Sequence, residues 1–171
     1  VIAGAYIASA AGEPNIITCD MGGTSFDVSL VADGESALSA QTSIDFGMVV
    51  RTPMIEITTI GAGGGSIARV DEVGSLRVGP QSAGSEPGPV CYGRGGTQPT
   101  VTDANAVLGR IDPDYFLGGA MKLDVAAARS AIESLGRELG TEVMETAEGI
   151  VRVANFIMAG AVRRITVERG R

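Results

Sequence analysis

The chain of 171 residues carries thirteen Lys and Arg against twenty Asp and Glu, a formal net charge of -7, and 44% hydrophobic but only 4% aromatic residues. That length and composition suit one core of small aliphatic side chains, and the acidic balance fits cytosolic solubility while excluding the clustered basic stripe of a nucleic-acid surface. Histidine is absent, which excludes a self-contained imidazole-ligated dinuclear metal centre and any Ser-His-Asp or Cys-His nucleophile.

Residues 1–11 are apolar but lack a basic start, so they read as a helix rather than a signal. No stretch approaches the ~20 apolar residues of a membrane span. Cys19 and Cys91 sit in different settings, one in an expected buried strand and one in a glycine-proline loop; a disulfide is not expected, and a cytoplasmic location is. The chain starts at Val1 rather than Met and stops at Arg171 inside an expected helix, so it reads as an excised piece of a longer protein.

Asn15-Ile16-Ile17-Thr18-Cys19 is short, β-branched and apolar, as a buried strand delivering Asp20 to the carboxyl edge of a sheet would be. Phe26, Val28 and Leu30 then alternate with Asp27 and Ser29 as a half-buried return strand. Between them, Gly22 and Gly23 lack the side chains that would keep a polyphosphate from the backbone, and positive φ at these positions would let consecutive N–H groups converge on one anion. Asp20 would hold Mg²⁺ or its water shell, since that ion takes one or two carboxylates and completes its sphere with water and phosphate oxygens. The plainer reading of the same residues is a hairpin turn with Asp20 and Asp27 solvated or capping amides.

Asp33-Gly34 marks the next turn, and residues 36–46 are expected to form a third antiparallel strand. Residues 48–60 read as a further strand region edged by Pro53, which lacks a ladder donor. Residues 61–66, Gly61-Ala62-Gly63-Gly64-Gly65-Ser66, could nest a second anion or simply connect strands; with no helix following, the dinucleotide fingerprint fails and the connector is favoured. Residues 66–70 and 75–78 flank the turn Asp71-Glu72-Val73-Gly74 as a second hairpin. Residues 79–99 are rich in proline and glycine without repeats and contain Cys91, Tyr92 and Arg94, so ordered irregular structure is expected. Arg94 reads equally as an anion clamp and as a solvated loop residue, and Cys91 as a packing residue, with no imidazole to activate it.

Helical signals dominate the remainder. A short helix over 103–109 would be capped by Asp103 and stopped at Gly109. Asp124 opens a helix over 125–139 that Gly140 closes. From Thr141, apolar residues from Val143 to Ile165 recur at three- and four-residue steps, predicting a long amphipathic helix with Glu142 and Glu145 at its start and Arg163 and Arg164 near its end.

The order strand, Asp20, Gly22-Gly23-Thr24, strand resembles the second phosphate motif of the actin-like ATPases. Gly79-Pro80-Gln81-Ser82-Ala83-Gly84, Pro87-Gly88-Pro89-Val90-Cys91-Tyr92-Gly93-Arg94-Gly95-Gly96-Thr97, Pro99-Thr100-Val101-Thr102-Asp103-Ala104-Asn105 and Val167-Glu168-Arg169-Gly170 narrow the resemblance to the hydantoinase A and 5-oxoprolinase family, over essentially the whole chain. It implies an α/β fold: part of an actin-like (ribonuclease H-like) ATPase lobe with β-hairpins and a long C-terminal helix. Residues 1–171 would be a single domain cut from the hydantoinase A/oxoprolinase domain, with a glycine/proline-rich inserted region at about 48–100. The helix over residues 1–11 matches the one linking the two lobes of actin-like ATPases.

The family further implies ATP-dependent opening of a cyclic amide or imide of hydantoin or 5-oxoproline type, through phosphorylation of the amide oxygen and attack of water. The cofactors would be ATP and Mg²⁺, the substrate a small cyclic amide, and the partner a hydantoinase B-type subunit or domain, with no nucleic acid and no membrane. In that scheme Gly22, Gly23 and Thr24 cradle the β and γ phosphates, Ser25 adds a hydroxyl, Asp20 is the catalytic and metal-organising carboxylate, and Asp27 is a second metal or hydrogen-bond anchor. The first phosphate motif and the adenine pocket would lie outside these residues, so the segment alone is expected to be inactive. The alternatives are a subunit of an ATP-dependent ketone carboxylase, or a non-catalytic actin-like module using nucleotide to switch assembly, which the Pro-Gly-Cys-Tyr-Gly-Arg block disfavours. A small-metabolite kinase is a third, disfavoured by residues 48–100.

Overall fold

Alternation and turn chemistry build the first sheet. In the computed structural model, which describes residues 1–39, 42–43 and 49–167, helix α1 (Ile2–Ala11) precedes strands β1 (Ile16–Met21), β2 (Phe26–Ala32) and β3 (Glu35–Ser36). Strand β2 is central, pairing with β1, with β3 and with β8 (Thr58–Ile60). Asp33 and Gly34 both take positive φ, 55° and 81°, the backbone a two-residue hairpin loop requires, and this sets the register Val31 opposite Ser36 and Ala32 opposite Glu35.

Two expectations shift here. Strand β1 is not buried: among the described residues it is bonded to β2 alone, and Ile17, Cys19 and Asp20 are exposed. Strand β2, expected to be half-buried, covers both faces, with Val28 and Val31 buried and Ser29 only 1% exposed. Ser29 tolerates this because its hydroxyl donates to the Glu56 carbonyl at 2.8 Å, which satisfies a group that would be costly to bury alone.

In place of one third strand over 36–46, the described residues show β3, β4 (Leu38–Ser39) and β5 (Thr42–Ser43); residues 40–41 and 44–48 lie outside the described set. Strand β4 pairs with β7 (Met54–Ile55) and β5 with β6 (Val49–Val50). Pro53 stands in the gap between β6 and β7, as its missing donor demands.

The second hairpin forms as expected from β9 (Ser66–Val70) and β10 (Leu76–Ser82), with Leu76 opposite Val70 and Val78 opposite Ala68. The Asp71 carboxylate ties the turn, accepting from the amides of Ser75 at 2.8 Å and Val73 at 3.1 Å and from the Arg77 guanidinium at 2.7 Å. Those bonds, the Ser75 amide first, hold its pKa below the usual carboxylate value.

Among the described residues three α-helices follow, α2 (Val101–Val107), α3 (Val125–Leu139) and α4 (Val143–Thr166). Helix α2 starts two residues earlier than expected. Its N-cap is Thr100, and Asp103 is the third residue of a reciprocal capping box, an arrangement worth about 1 kcal/mol. Asp124 caps α3 as expected, accepting from the Ala127 amide at 2.9 Å. On α4 the stripe Ala147, Ile150, Val151 and Ala154 is buried, the face its sequence period assigned. These residues join Cys91, Ala104 and Ile132 in one apolar core.

Two compact units result. One comprises Val1–Asp20, Asp27–Thr59 and Gly160–Arg171, the other Met21–Phe26 and Ile60–Ala159. Among the described residues no helix is long and apolar enough to cross a membrane.

Candidate phosphate-binding site

The two carboxylates belong to the first unit. Asp20 is exposed near the end of β1, and Asp27 is half-buried near the start of β2. Both line a cleft of about 620 Å³ with Thr18, Cys19, Ser29 and Thr59. The Thr59 hydroxyl donates to Oδ1 of Asp27, which orients that carboxylate and leaves Oδ2 without a described partner. Among the described residues no three His, Cys, Asp or Glu side chains gather to hold a metal. Two carboxylates in one open cleft still fit Mg²⁺, which needs no more than that from protein.

The glycine turn belongs to the second unit. Its internal bond runs from the Gly22 amide to the Ser25 carbonyl at 2.9 Å. The amides of Gly23, Thr24 and Ser25 have no protein acceptor among the described residues. Three adjacent free donors at an exposed tip can take an anion. Neither Gly22 nor Gly23 takes positive φ, contrary to expectation. A β-carbon on Gly23 would meet nothing within 4 Å, so glycine there gives clearance to whatever approaches from outside.

Residues 61–66 do the reverse. The Ala62 amide donates to Ile60, that of Gly63 to the Ser66 hydroxyl, that of Ser66 to the Gly63 carbonyl, and those of Gly64 and Gly65 to the carbonyls of Gly22 and Gly23. With the amides of residues 62–66 all engaged, the loop has no run of free donors to nest an anion and acts as a connector. Glycine is required by close approach: a β-carbon on Gly63 would lie 2.7 Å from the Gly22 oxygen and the Gly23 carbonyl carbon.

Asp103 proves to be the centre of the proline-glycine segment. It is fully buried, and its carboxylate accepts from the amides of Cys91 at 2.7 Å, Thr100 at 2.9 Å and Val90 at 3.1 Å, and from the Thr100 hydroxyl at 2.8 Å. The sequence marked Asp103 only as a cap, because its bonds to Val90 and Cys91 span twelve or more residues. Burial first, and the Asp103 charge second, push the Cys91 thiol far above its usual pKa. It stays protonated and unreactive. Arg94 is exposed and forms no ion pair among the described residues. The ring of Tyr92, a neighbour in the same segment, packs on Phe116 with centroids 5.6 Å apart.

The paired carboxylates of the first unit and the tip of free amides in the second are each groups of a kind that can serve a polyphosphate or its cation. Residues 1–171 match the hydantoinase/oxoprolinase family throughout, and the chain belongs to that family. It is 47% identical over 169 residues to caprolactamase subunit alpha of Pseudomonas jessenii, covering 98% of this chain and 24% of that protein. With the acetophenone carboxylase gamma subunit of Aromatoleum aromaticum it shares 46% over 168 residues, covering 97% and 23%, and with 5-oxoprolinase 1 of Arabidopsis thaliana 42% over 175 residues, covering 92% and 14%. The crystal structure of the ATP-dependent caprolactamase from Pseudomonas jessenii superimposes with a TM-score of 0.87 at 47% identity, over 99% of this chain and 24% of that one. The chain thus spans about a quarter of the length of the first of these relatives.

Proposed function

We propose that the chain supplies part of the ATP site of an enzyme that opens a small cyclic amide or imide, of hydantoin or 5-oxoproline type. On this reading residues 1–171 are one segment of a hydantoinase A/oxoprolinase domain, with about 48–100 inserted into an actin-like lobe. The observation that carries it is the row of free amides at Gly23, Thr24 and Ser25, placed three residues after Asp20 in a chain the family matches from end to end.

Gly23 and Thr24 would donate to the β and γ phosphates of ATP. Gly22, its own amide held by Ser25, contributes clearance, and Ser25 adds an amide and a hydroxyl. Asp20 would hold Mg²⁺ directly or through water, and Asp27, steadied by Thr59, is the second anchor. When bound, the ion neutralises charge developing on the phosphates.

The amide oxygen of the substrate attacks the γ phosphorus and ADP leaves. Water then adds to the activated carbon, the ring C–N bond breaks and phosphate departs. Phosphoryl transfer asks mainly for positioning and charge neutralisation, which amides and carboxylates supply without histidine. A hydantoinase B-type subunit or domain would complete the hydrolytic site, a reading supported by two relatives being named as subunits. The location proposed is cytoplasmic.

A second reading is a ketone carboxylase subunit, favoured by the near-equal identity to the acetophenone carboxylase gamma subunit, 46% against 47% for the caprolactamase. There the oxygen attacking the γ phosphorus is that of an enolate. The phosphate turn serves both chemistries.

The test is Asp20→Asn in the full-length protein. The amide is nearly isosteric but uncharged, so ATP-dependent turnover should fall on the order of a hundredfold or more with the fold intact. Near-wild-type turnover with an unchanged magnesium requirement would sink the assignment.

A further inference from the structure

A turn with two glycines at its tip is a poor receptor by itself. Glycine has the most backbone freedom to lose, and three free amides bind an anion well only when they already point the same way. Something must therefore fix the planes of the turn.

The fixing contacts come from residues 63–65. The Gly64 amide donates to the Gly22 carbonyl at 3.0 Å, and the Gly65 amide to the Gly23 carbonyl at 2.6 Å. A trans peptide is planar, with its C=O and the next N–H pointing in opposite directions. Drawing the Gly22 and Gly23 carbonyls onto one loop therefore turns the N–H groups of Gly23 and Thr24 away from that loop, to a common side. These are two of the three amides without a protein acceptor.

The same reasoning extends one step back. The Thr102 amide and hydroxyl both donate to the Gly64 carbonyl, at 2.8 and 2.9 Å. Holding that carbonyl sets the direction of the Gly65 N–H, which sits in the same plane and donates to Gly23. The result is a relay of hydrogen-bonded peptide planes: Thr102 to Gly64, Gly65 to Gly23, and the free Thr24 amide at the end. Each amide whose carbonyl is engaged is also polarised into a better donor.

We propose that Gly63, Gly64, Gly65 and Thr102 are positioning residues of the phosphate turn, fixing through this relay the direction of the Gly23 and Thr24 amides that receive the polyphosphate of ATP. The inference rests on the reading of residues 22–25 as a phosphate turn. Glycine at 63 and 65 permits the approach; a β-carbon on Gly65 would stand 2.9 Å from the Gly23 oxygen and 2.8 Å from Ser82 Oγ. The relay ends on backbone and cannot be read as a ligand site of its own.

The experiment is calorimetric titration of Mg-ATP into the full-length protein and its variants, with steady-state turnover of a cyclic amide in parallel. Gly63→Ala should weaken Mg-ATP about tenfold, as expected for misdirecting charge-assisted bonds to phosphate. Thr102→Val, which removes one of the two donors onto Gly64, should weaken it about threefold, and Thr102→Ser should restore it. In all three, KM for the cyclic amide should stay at the wild-type value. Thr102→Val is conservative enough to keep the test alive if Gly63→Ala does not fold. Wild-type affinity in Thr102→Val, or equal losses in Thr102→Val and Thr102→Ser, would overturn the relay. If Gly23→Val itself leaves Mg-ATP binding unchanged, the phosphate turn fails and the relay falls with it, a distinct pattern.

Discussion

Residues 22–25 and 61–66 are both rich in glycine and meet backbone to backbone, yet they dispose of their polar groups in opposite ways. In the first, carbonyls are held and three amides are left open; in the second, the five amides of residues 62–66 are all engaged. Composition alone does not separate an anion cradle from a structural connector. Following each N–H to its acceptor does, because a buried or bonded donor has nothing left to give a ligand.

The contrast breaks most sharply at Gly23. Its φ is not positive and a β-carbon there meets nothing, so Gly23→Val should fold normally while its side chain occupies the space in front of the amides. Loss of up to three charge-assisted bonds, each about 1.5–3 kcal/mol, predicts a fall in Mg-ATP affinity of roughly a hundredfold or more in the full-length protein. Circular dichroism should show an unchanged fold, and unchanged affinity would make residues 22–25 a turn and nothing more.

Hydrogen exchange tests the same contrast without mutation. Amides of Gly64 and Gly65 should be protected whether or not nucleotide is present, whereas those of Gly23 and Thr24 should exchange quickly and slow on addition of Mg-ATP. Equal protection of both loops in the nucleotide-free protein would erase the distinction.

The smallest effect is expected at Cys91, where the thiol is buried and held protonated. Cys91→Ser in the full-length enzyme should keep turnover within about threefold of wild type, since only packing changes. A folded but inactive variant, together with covalent capture of substrate by the wild-type thiol, would reverse that assignment.

Much of the architecture was legible in the sequence because it is local. Asp33-Gly34 announced a hairpin, Asp71 to Gly74 another, Asp124 a helix start, and the apolar period after Thr141 the buried stripe of α4. What was not legible depends on partners distant in the chain. Ser29 can be buried because the backbone carbonyl of Glu56, far along the chain, accepts a hydrogen bond from its hydroxyl. Thr100 rather than Asp103 became the cap of α2 because the Asp103 carboxylate is engaged by Val90 and Cys91 as well as Thr100. The candidate site followed the same rule: Asp20, Asp27 and the glycine turn stood out as a motif to be tested, but the orienting Thr59 and the clasp of residues 63–65 had no signal of their own.

The Asp103 carboxylate has a consequence for how the proline-glycine segment comes apart. Irregular stretches are ordinarily the first part of a domain to open and be cut by proteases. Here the amides of Val90, Cys91 and Thr100 converge on one buried charge at the start of α2. Detaching the strand of chain between them would strip that charge of its donors inside an apolar core, a penalty of several kcal/mol. Residues 90–100 therefore open only when α2 does, and a proteolytic map should show them as resistant as the helices beside them.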